Sequence, residues 1–186
     1  LADPSSTYKL VEVDGENWIV SEEASVKLEH QDRETKVIGD VSGEDLIGEY
    51  FRNPVTDEEV IMLPGDFVET DSGSGLVMSV PAHAPYDWIS LQELKESEAL
   101  LKQYGISPNE VRKIEPKQII NTEHYTDMPA EEACNEYGVE SQSDEEALEK
   151  ATEEVYEKEF HNGVLNGSCG DYASENVNSV KDLLIK

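Results

Sequence analysis

The stretch "SGSGLVMSVPAHAPYDW", residues 72–88, decides how the rest of the chain is read. Two glycines bracket a serine at Gly73-Ser74-Gly75, a short apolar run follows, and a loop then carries Pro81, His83, Pro85 and Asp87. The run "GLVMSV", bounded by glycine on one side and proline on the other, predicts a strand buried on both faces. Beyond Pro85 the apolar period changes. Trp88, Leu91, Leu94 and then Ala99 to Leu101 recur at helical spacing, and Gly105 supplies a stop. The segment is therefore a junction between a strand-rich half ending near residue 80 and a largely helical remainder.

Upstream, "YKLVEV" and "NWIV" flank Asp14-Gly15-Glu16, a hairpin signal. Ser21 reads as the N-cap of a short helix, "EEASVKLEH", with acids in its first turn. "TKVIGDV" and "EEVIML" read as strands, joined by a turn-rich connection. Downstream, "KIEPKQII" predicts one more strand, with Pro116 marking an edge or bulge. Pro129 suits the first position of a helix that closes at Gly138. "SQSDEEALEKATEEVYEKEF" is the strongest helix, with a capping box predicted from Ser143 and Glu146, and "SENVNSVKDLLI" is the last. The class is α+β, without internal repeats.

Composition narrows the function classes. The 186 residues suit one domain of ordinary size. No apolar stretch approaches the roughly 18 residues of a membrane span, so no membrane partner is expected. "LADPSS" lacks the basic and apolar regions of a signal peptide. The chain begins at Leu1 and not at methionine, which suggests a piece of something longer. Lysine and arginine number 14 against 42 acidic residues, a net charge of -28. Such an excess repels itself in dilute buffer, and at about 1 M salt, where the Debye length is near 3 Å, the penalty largely disappears. A salt-rich cytoplasm accounts for it simply. The charge alone argues against broad contact with nucleic acid, which calls for a basic patch. Cys134 and Cys169 form no C-x-x-C pair and suit reduced thiols.

Motifs exclude several chemistries. His83 and Asp87 stand four apart, but Pro85 interrupts any helix between them and two ligands do not make a metal site. No metal is expected. Gly73-Ser74-Gly75 precedes its strand, so it is no nucleophile elbow. Walker A, dinucleotide-binding and H-E-x-x-H motifs are missing from the sequence. Asp87 has two readings: a first-turn carboxylate that caps a helix, or an anion at the lip of an apolar strand that holds a substrate ammonium. Met78 and Trp88 read as core before pocket, and His30 and His161 as cations at helix C-termini.

"GSGLVMSVPAHAPYDW" closely resembles the editing-domain segment of leucyl-tRNA synthetases of the archaeal and eukaryotic type, in which a Gly-Thr-Gly-like turn leads into V-M-S-V-P-A-H-A-P-x-D. "ENWIVSEEA", "FRNPVT" and "EEVYEKEFHNGVL" resemble that family in the same order, so the likeness runs from about Tyr8 to the C-terminus. The acidic residue that bacterial leucyl enzymes tend to carry after the histidine is Ala84 here. The resemblance implies a compact, barrel-like β core with flanking helices. It implies hydrolysis of tRNA-Leu wrongly charged with isoleucine, valine or similar amino acids. The amino-group-binding aspartate falls on Asp87, the side-chain-sorting pocket on Met78 and Val80, and the turn near the terminal adenosine on Gly73, Ser74 and Gly75. His83 takes a structural or water-positioning role, so Asp87, Ser74 and His83 form the candidate catalytic set. The partners implied are the 3′ acceptor end of tRNA-Leu, fringed by Lys95, Lys102, Arg112 and Lys113, and the other domains of the synthetase. No cofactor is implied in this domain; ATP and magnesium belong to the catalytic domain, which the sequence lacks.

On that reading, residues 1–186 are an editing-domain fragment whose threonine-rich N-terminal segment, the opposite wall of the pocket, should lie just before Leu1. Ser74 stands where the family usually has threonine. With one wall missing, two alternatives stay open: a module that binds the acceptor end or amino acids without turnover, and a structural fragment active only within its parent.

Overall fold

A computed structural model of the chain describes residues 1–53 and 56–184. It divides into two compact units, Leu1–Met78 with Leu101–Ile106, and Ser79–Leu100 with Ser107–Lys186. Pro54 and Val55, inside the "FRNPVT" run, lie outside the described residues.

In the first unit, strands β1 (Thr7–Val13) and β2 (Glu16–Val20) form the expected hairpin, with Asp14 and Gly15 both at positive φ (51° and 88°). That pair of angles matches the right-handed twist of the strands. Helix α1 (Glu22–Glu29) follows, and the Ser21 hydroxyl accepts from the Ala24 N–H at 3.1 Å, as its sequence predicts. Strand β3 (Thr35–Ser42) returns antiparallel to β1 and gives the order β2-β1-β3. Cross-strand partners on one face place Val11, Val13 and Val20 against Ala24 and Leu28 of α1, with Trp18 packed beside them. The β1–β3 register shifts between Leu10 and Val11, so Gly39 and Val37 are successive partners and Ile38 is extra. A bulged residue breaks the in-out alternation, and Val37 and Ile38 are both exposed. The unit continues through α2 (Gly43–Leu46) and the short hairpin β4 (Tyr50–Arg52) and β5 (Glu59–Ile61).

The second unit is mostly helical: α3 (Pro85–Glu96), α4 (Glu98–Gln103, which ends in the first unit), α5 (Pro108–Val111), β6 (Ile120–Asn121), α6 (Pro129–Tyr137), α7 (Glu145–Asn162), β7 (Val164–Leu165), a 3-10 turn (Gly167–Tyr172) and α8 (Val177–Leu184). Pro85 and Pro129 open α3 and α6 where a missing N–H costs nothing. Gly138 closes α6 in the left-handed region, as predicted. Along α7, Leu148, Ala151, Val155 and Glu159 form one buried stripe at helical spacing. Leu148 joins Ile89, Cys134 and Val139; Ala151 and Val155 join Tyr125 and Ala133. Burying each large apolar side chain contributes about 1.5–3 kcal/mol. Cys134 and Cys169 are free thiols, and burial pushes the Cys134 thiol up to about 11.

The fold is mixed α and β, and four local expectations are corrected. Residues 76–80 run extended but form no strand, and Val77, Met78 and Val80 are 37 %, 55 % and 45 % exposed. Their backbone pairing is limited: Val77 exchanges two hydrogen bonds with Leu1, and Val80 donates to a side chain. The helix expected across Trp88 to Leu101 is two helices, because Ser97 leaves the helical region at φ -89°, ψ 63°. "KIEPKQII" supplies a ladder only at Ile120–Asn121. The predicted capping box does not form, and the helix starts one residue later. Asp144 takes the N-cap position, and its Oδ2 turns upstream to accept from the Glu140 and Ser141 N–H groups at 2.9 Å each. Among the described residues the strands form separate sheets of three, two and two, without a closed barrel.

Candidate functional site

The glycine turn belongs to the first unit and is built on the N-terminus of α1. Ser21 does two jobs there. Its hydroxyl caps α1, and its N–H donates to the Ser74 carbonyl at 2.7 Å. Gly75 lies at φ 75°, where a Cβ atom would stand 2.6 Å from the Ser21 Cβ, so both backbone angle and space require glycine. The Ser74 hydroxyl is engaged locally, accepting from the Leu76 N–H at 3.3 Å and donating to the Leu76 carbonyl at 3.2 Å. Lys27 donates to the Asp71 carbonyl at 2.6 Å and closes the turn from the far end of α1. The sequence reading assigned Ser21 its cap but not its hold on Ser74. Met78, the last residue of this unit, is the most exposed member of the apolar run.

Asp87, His83 and Val80 belong to the second unit. Asp87 is the third residue of α3, only 5 % exposed, and its Oδ2 accepts from the Val80 N–H at 2.7 Å. Burial raises its carboxyl above the ordinary range, opposed by the hydrogen bonds from the Val80 N–H and the Ser79 hydroxyl. The carboxylate thus replaces the strand partner that Val80 lacks. The Val80 carbonyl in turn accepts from the His83 N–H at 2.8 Å and the Ala84 N–H at 3.0 Å, which closes the turn into α3. Asp87 and His83 therefore hold the N–H and the C=O of the same residue, and the Val80 side chain stays exposed between them.

His83 is enclosed. Its Nδ1 lies 2.8 and 2.9 Å from the two carboxylate oxygens of Glu159, and its side chain is 9 % exposed. Its Nε2 accepts from the Ile119 N–H at 3.0 Å. A backbone N–H is an obligate donor, so the hydrogen-bond network assigns the proton to Nδ1. Both ring nitrogens are engaged by partners within the protein. Among the described residues no three His, Cys, Asp or Glu side chains come together as a metal cluster. Of the cations expected to fringe the entrance, Lys102 belongs to the first unit and Lys95, Arg112 and Lys113 to the second, where Arg112 pairs with Glu98 at 2.6 Å. Glu159 was not singled out from sequence. The available signal was an acid on the apolar stripe of Leu148, Ala151 and Val155.

This geometry offers a held, partly exposed extended segment beside a buried carboxylate. Comparison with known proteins shows the family. Residues 22–159 match the family "Leucyl-tRNA synthetase, editing domain". The chain is 47 % identical over 184 residues to the leucine–tRNA ligase of Methanothrix thermoacetophila and 44 % identical over 188 residues to that of Pyrococcus horikoshii. Each match covers 99 % of this chain and 19 % of the relative, so the chain spans about a fifth of the length of these relatives. The crystal structure of GlLeuRS-CP1 superposes with a TM-score of 0.84 at 29 % identity, covering 99 % of this chain and 72 % of that one. The editing domain of the Plasmodium falciparum cytosolic leucyl-tRNA synthetase, at 15 % identity, shares the fold with a TM-score of 0.88 over 98 % of this chain and 68 % of its own. The chain belongs to the leucyl-tRNA synthetase editing-domain family.

Proposed function

We propose that the chain removes wrongly attached amino acids such as isoleucine or valine from tRNA-Leu by hydrolysis of the aminoacyl ester. The observation that carries this reading is the Val80 peptide, held at 2.7 Å by the buried Asp87 carboxylate while its apolar side chain remains 45 % exposed. Asp87 would hold the substrate ammonium, and Met78 and Val80 would sort the side chain. The turn Gly73-Ser74-Gly75 would receive the terminal adenosine. An aminoacyl ester is already activated, so orientation and a held water suffice without a protein nucleophile. A synthetic pocket separates amino acids that differ by one methylene by only about 1–3 kcal/mol, which is why a second, hydrolytic sieve is needed.

Only the single-stranded acceptor end of the tRNA need reach this domain, which reconciles an RNA substrate with a net charge of -28. The rest of the reading follows from the family. The threonine-rich wall and the barrel-like closure of the β core would belong to a longer synthetase that also supplies the ATP- and magnesium-dependent charging site, and no cofactor would act here. Residues 1–186 would then be part of an editing domain working in a salt-rich cytoplasm. A capture module without turnover is the second reading, favoured by the Ser74 hydroxyl, which is turned to its own backbone and not outward.

The test is release of isoleucine from isoleucyl-tRNA-Leu at high potassium chloride by the intact synthetase, with and without Asp87→Ala. A charge-assisted contact contributes about 1.5–3 kcal/mol, so the substitution should slow release roughly tenfold to hundredfold. Retention of isoleucine by the folded parent would exclude the hydrolase and leave the capture module.

A further inference from the structure

Glu159 is 4 % exposed, on the buried stripe of α7, and both its carboxylate oxygens face the Nδ1 of His83 at 2.8 and 2.9 Å. A carboxylate that only accepts hydrogen bonds does more than fill space at this position. It demands a donor, so the imidazole must turn Nδ1–H toward α7 and present Nε2 as an acceptor to the Ile119 N–H, 3.0 Å away. Ring orientation and tautomer are fixed together. Through the His83 backbone the constraint reaches the Val80 carbonyl at 2.8 Å, and the N–H of the same residue is bound by Asp87 at 2.7 Å. Every link in this chain of contacts lies within the second unit.

We propose that Glu159 is a positioning residue for editing: by locking His83 it fixes the turn that aims the Asp87 carboxylate at the substrate ammonium. The inference rests on the hydrolase reading given above and deepens it. Its effect travels through Asp87, so it matters only to a substrate that carries an ammonium group.

The experiment compares wild type, Glu159→Leu, Glu159→Gln and Glu159→Asp in the intact synthetase, on isoleucyl-tRNA-Leu and on the matching α-hydroxyacyl ester, which lacks the ammonium. Charging of tRNA at the separate synthetic site and thermal unfolding report the integrity of each variant. Glu159→Leu leaves the Nδ1–H without an acceptor and should lower kcat for the aminoacyl ester by about tenfold or more, as small misplacements do, with KM unchanged. Glu159→Gln keeps an acceptor oxygen and should restore the rate. Glu159→Asp keeps charge and burial but withdraws the acceptor by one methylene; it should lose an intermediate amount, so the test survives even if the leucine variant does not fold. On the hydroxyacyl ester the variants should match wild type. Equal losses on both esters, or no loss for either Leu or Asp, would overturn the positioning role while the hydrolase reading stands. A wild-type enzyme that hydrolyses neither ester would overturn that reading and this inference with it.

Discussion

The glycine turn at residues 72–76 and the His83–Asp87–Glu159 cluster hold their parts of one continuous segment by opposite means. The turn is held by backbone. Ser21 N–H grips the Ser74 carbonyl, and Gly75 tolerates both a positive φ and a wall of Ser21 atoms. The cluster is held by buried side chains, two carboxylates and an imidazole, each 9 % exposed or less. A backbone device is cheap to maintain and sensitive to any added Cβ. A buried carboxylate carries a desolvation cost that an apolar residue would avoid.

The sharpest way to break that contrast is Asp87→Asn. Asparagine keeps an oxygen for the Val80 N–H and removes only the charge, so hydrolysis should fall about tenfold or more with the ammonium contact, while stability is kept or raised. The sign with pH follows from the raised carboxyl. Between the ordinary value of 3.8 and the higher folded value, the folded state holds a proton that the unfolded state has released. The favourable contribution is full below 3.8 and is lost as pH rises through the folded value. Urea midpoints at fixed potassium chloride should therefore show the asparagine variant gaining on wild type as pH rises from 3.8 toward neutrality. A variant that loses stability at neutral pH would mean that the charge is a structural asset.

The turn is tested through stability. Gly75→Ala meets Ser21 Cβ at 2.6 Å and sits at φ 75°, so overpacking adds about 1–3 kcal/mol to about 1–2 kcal/mol of left-handed strain. Gly73→Ala, at φ 57° with nothing within 4 Å, carries only the strain. Thermal unfolding of the two should separate them clearly, and equal losses would mean that space at Ser21 is not what selects glycine.

What was legible in the sequence follows the same division. The Asp14-Gly15 hairpin, the Ser21 cap and the proline starts of α3 and α6 were readable because their chemistry lies within four residues. The strand at 76–80 was misread because a strand is a relation to a partner; an apolar run does not say whether Val80 N–H will meet a carbonyl or a carboxylate. The cap at Ser143 failed for a nearer reason: Asp144 offered its carboxylate to Glu140 and Ser141 and shifted the start of α7 by one. Asp87 and His83 were identified through motif resemblance, but the partner of His83 stands 76 residues away in sequence. Only the oddity of an acid on an apolar stripe marked it.

Ser74 gives the smallest effect and refines the contrast most. The sequence placed it in the catalytic set, yet its hydroxyl is spent on the Leu76 backbone at 3.2 and 3.3 Å while its carbonyl does the anchoring to Ser21. Removing an exposed, locally bonded hydroxyl costs at most about 0.5–1 kcal/mol, so Ser74→Ala should slow hydrolysis by about two- to fivefold. Ser74→Thr keeps the hydroxyl and should stay at the wild-type rate. If alanine instead reduced the rate as far as Asp87→Asn does, the hydroxyl would have to leave Leu76 for the substrate, and the turn would act through a side chain after all.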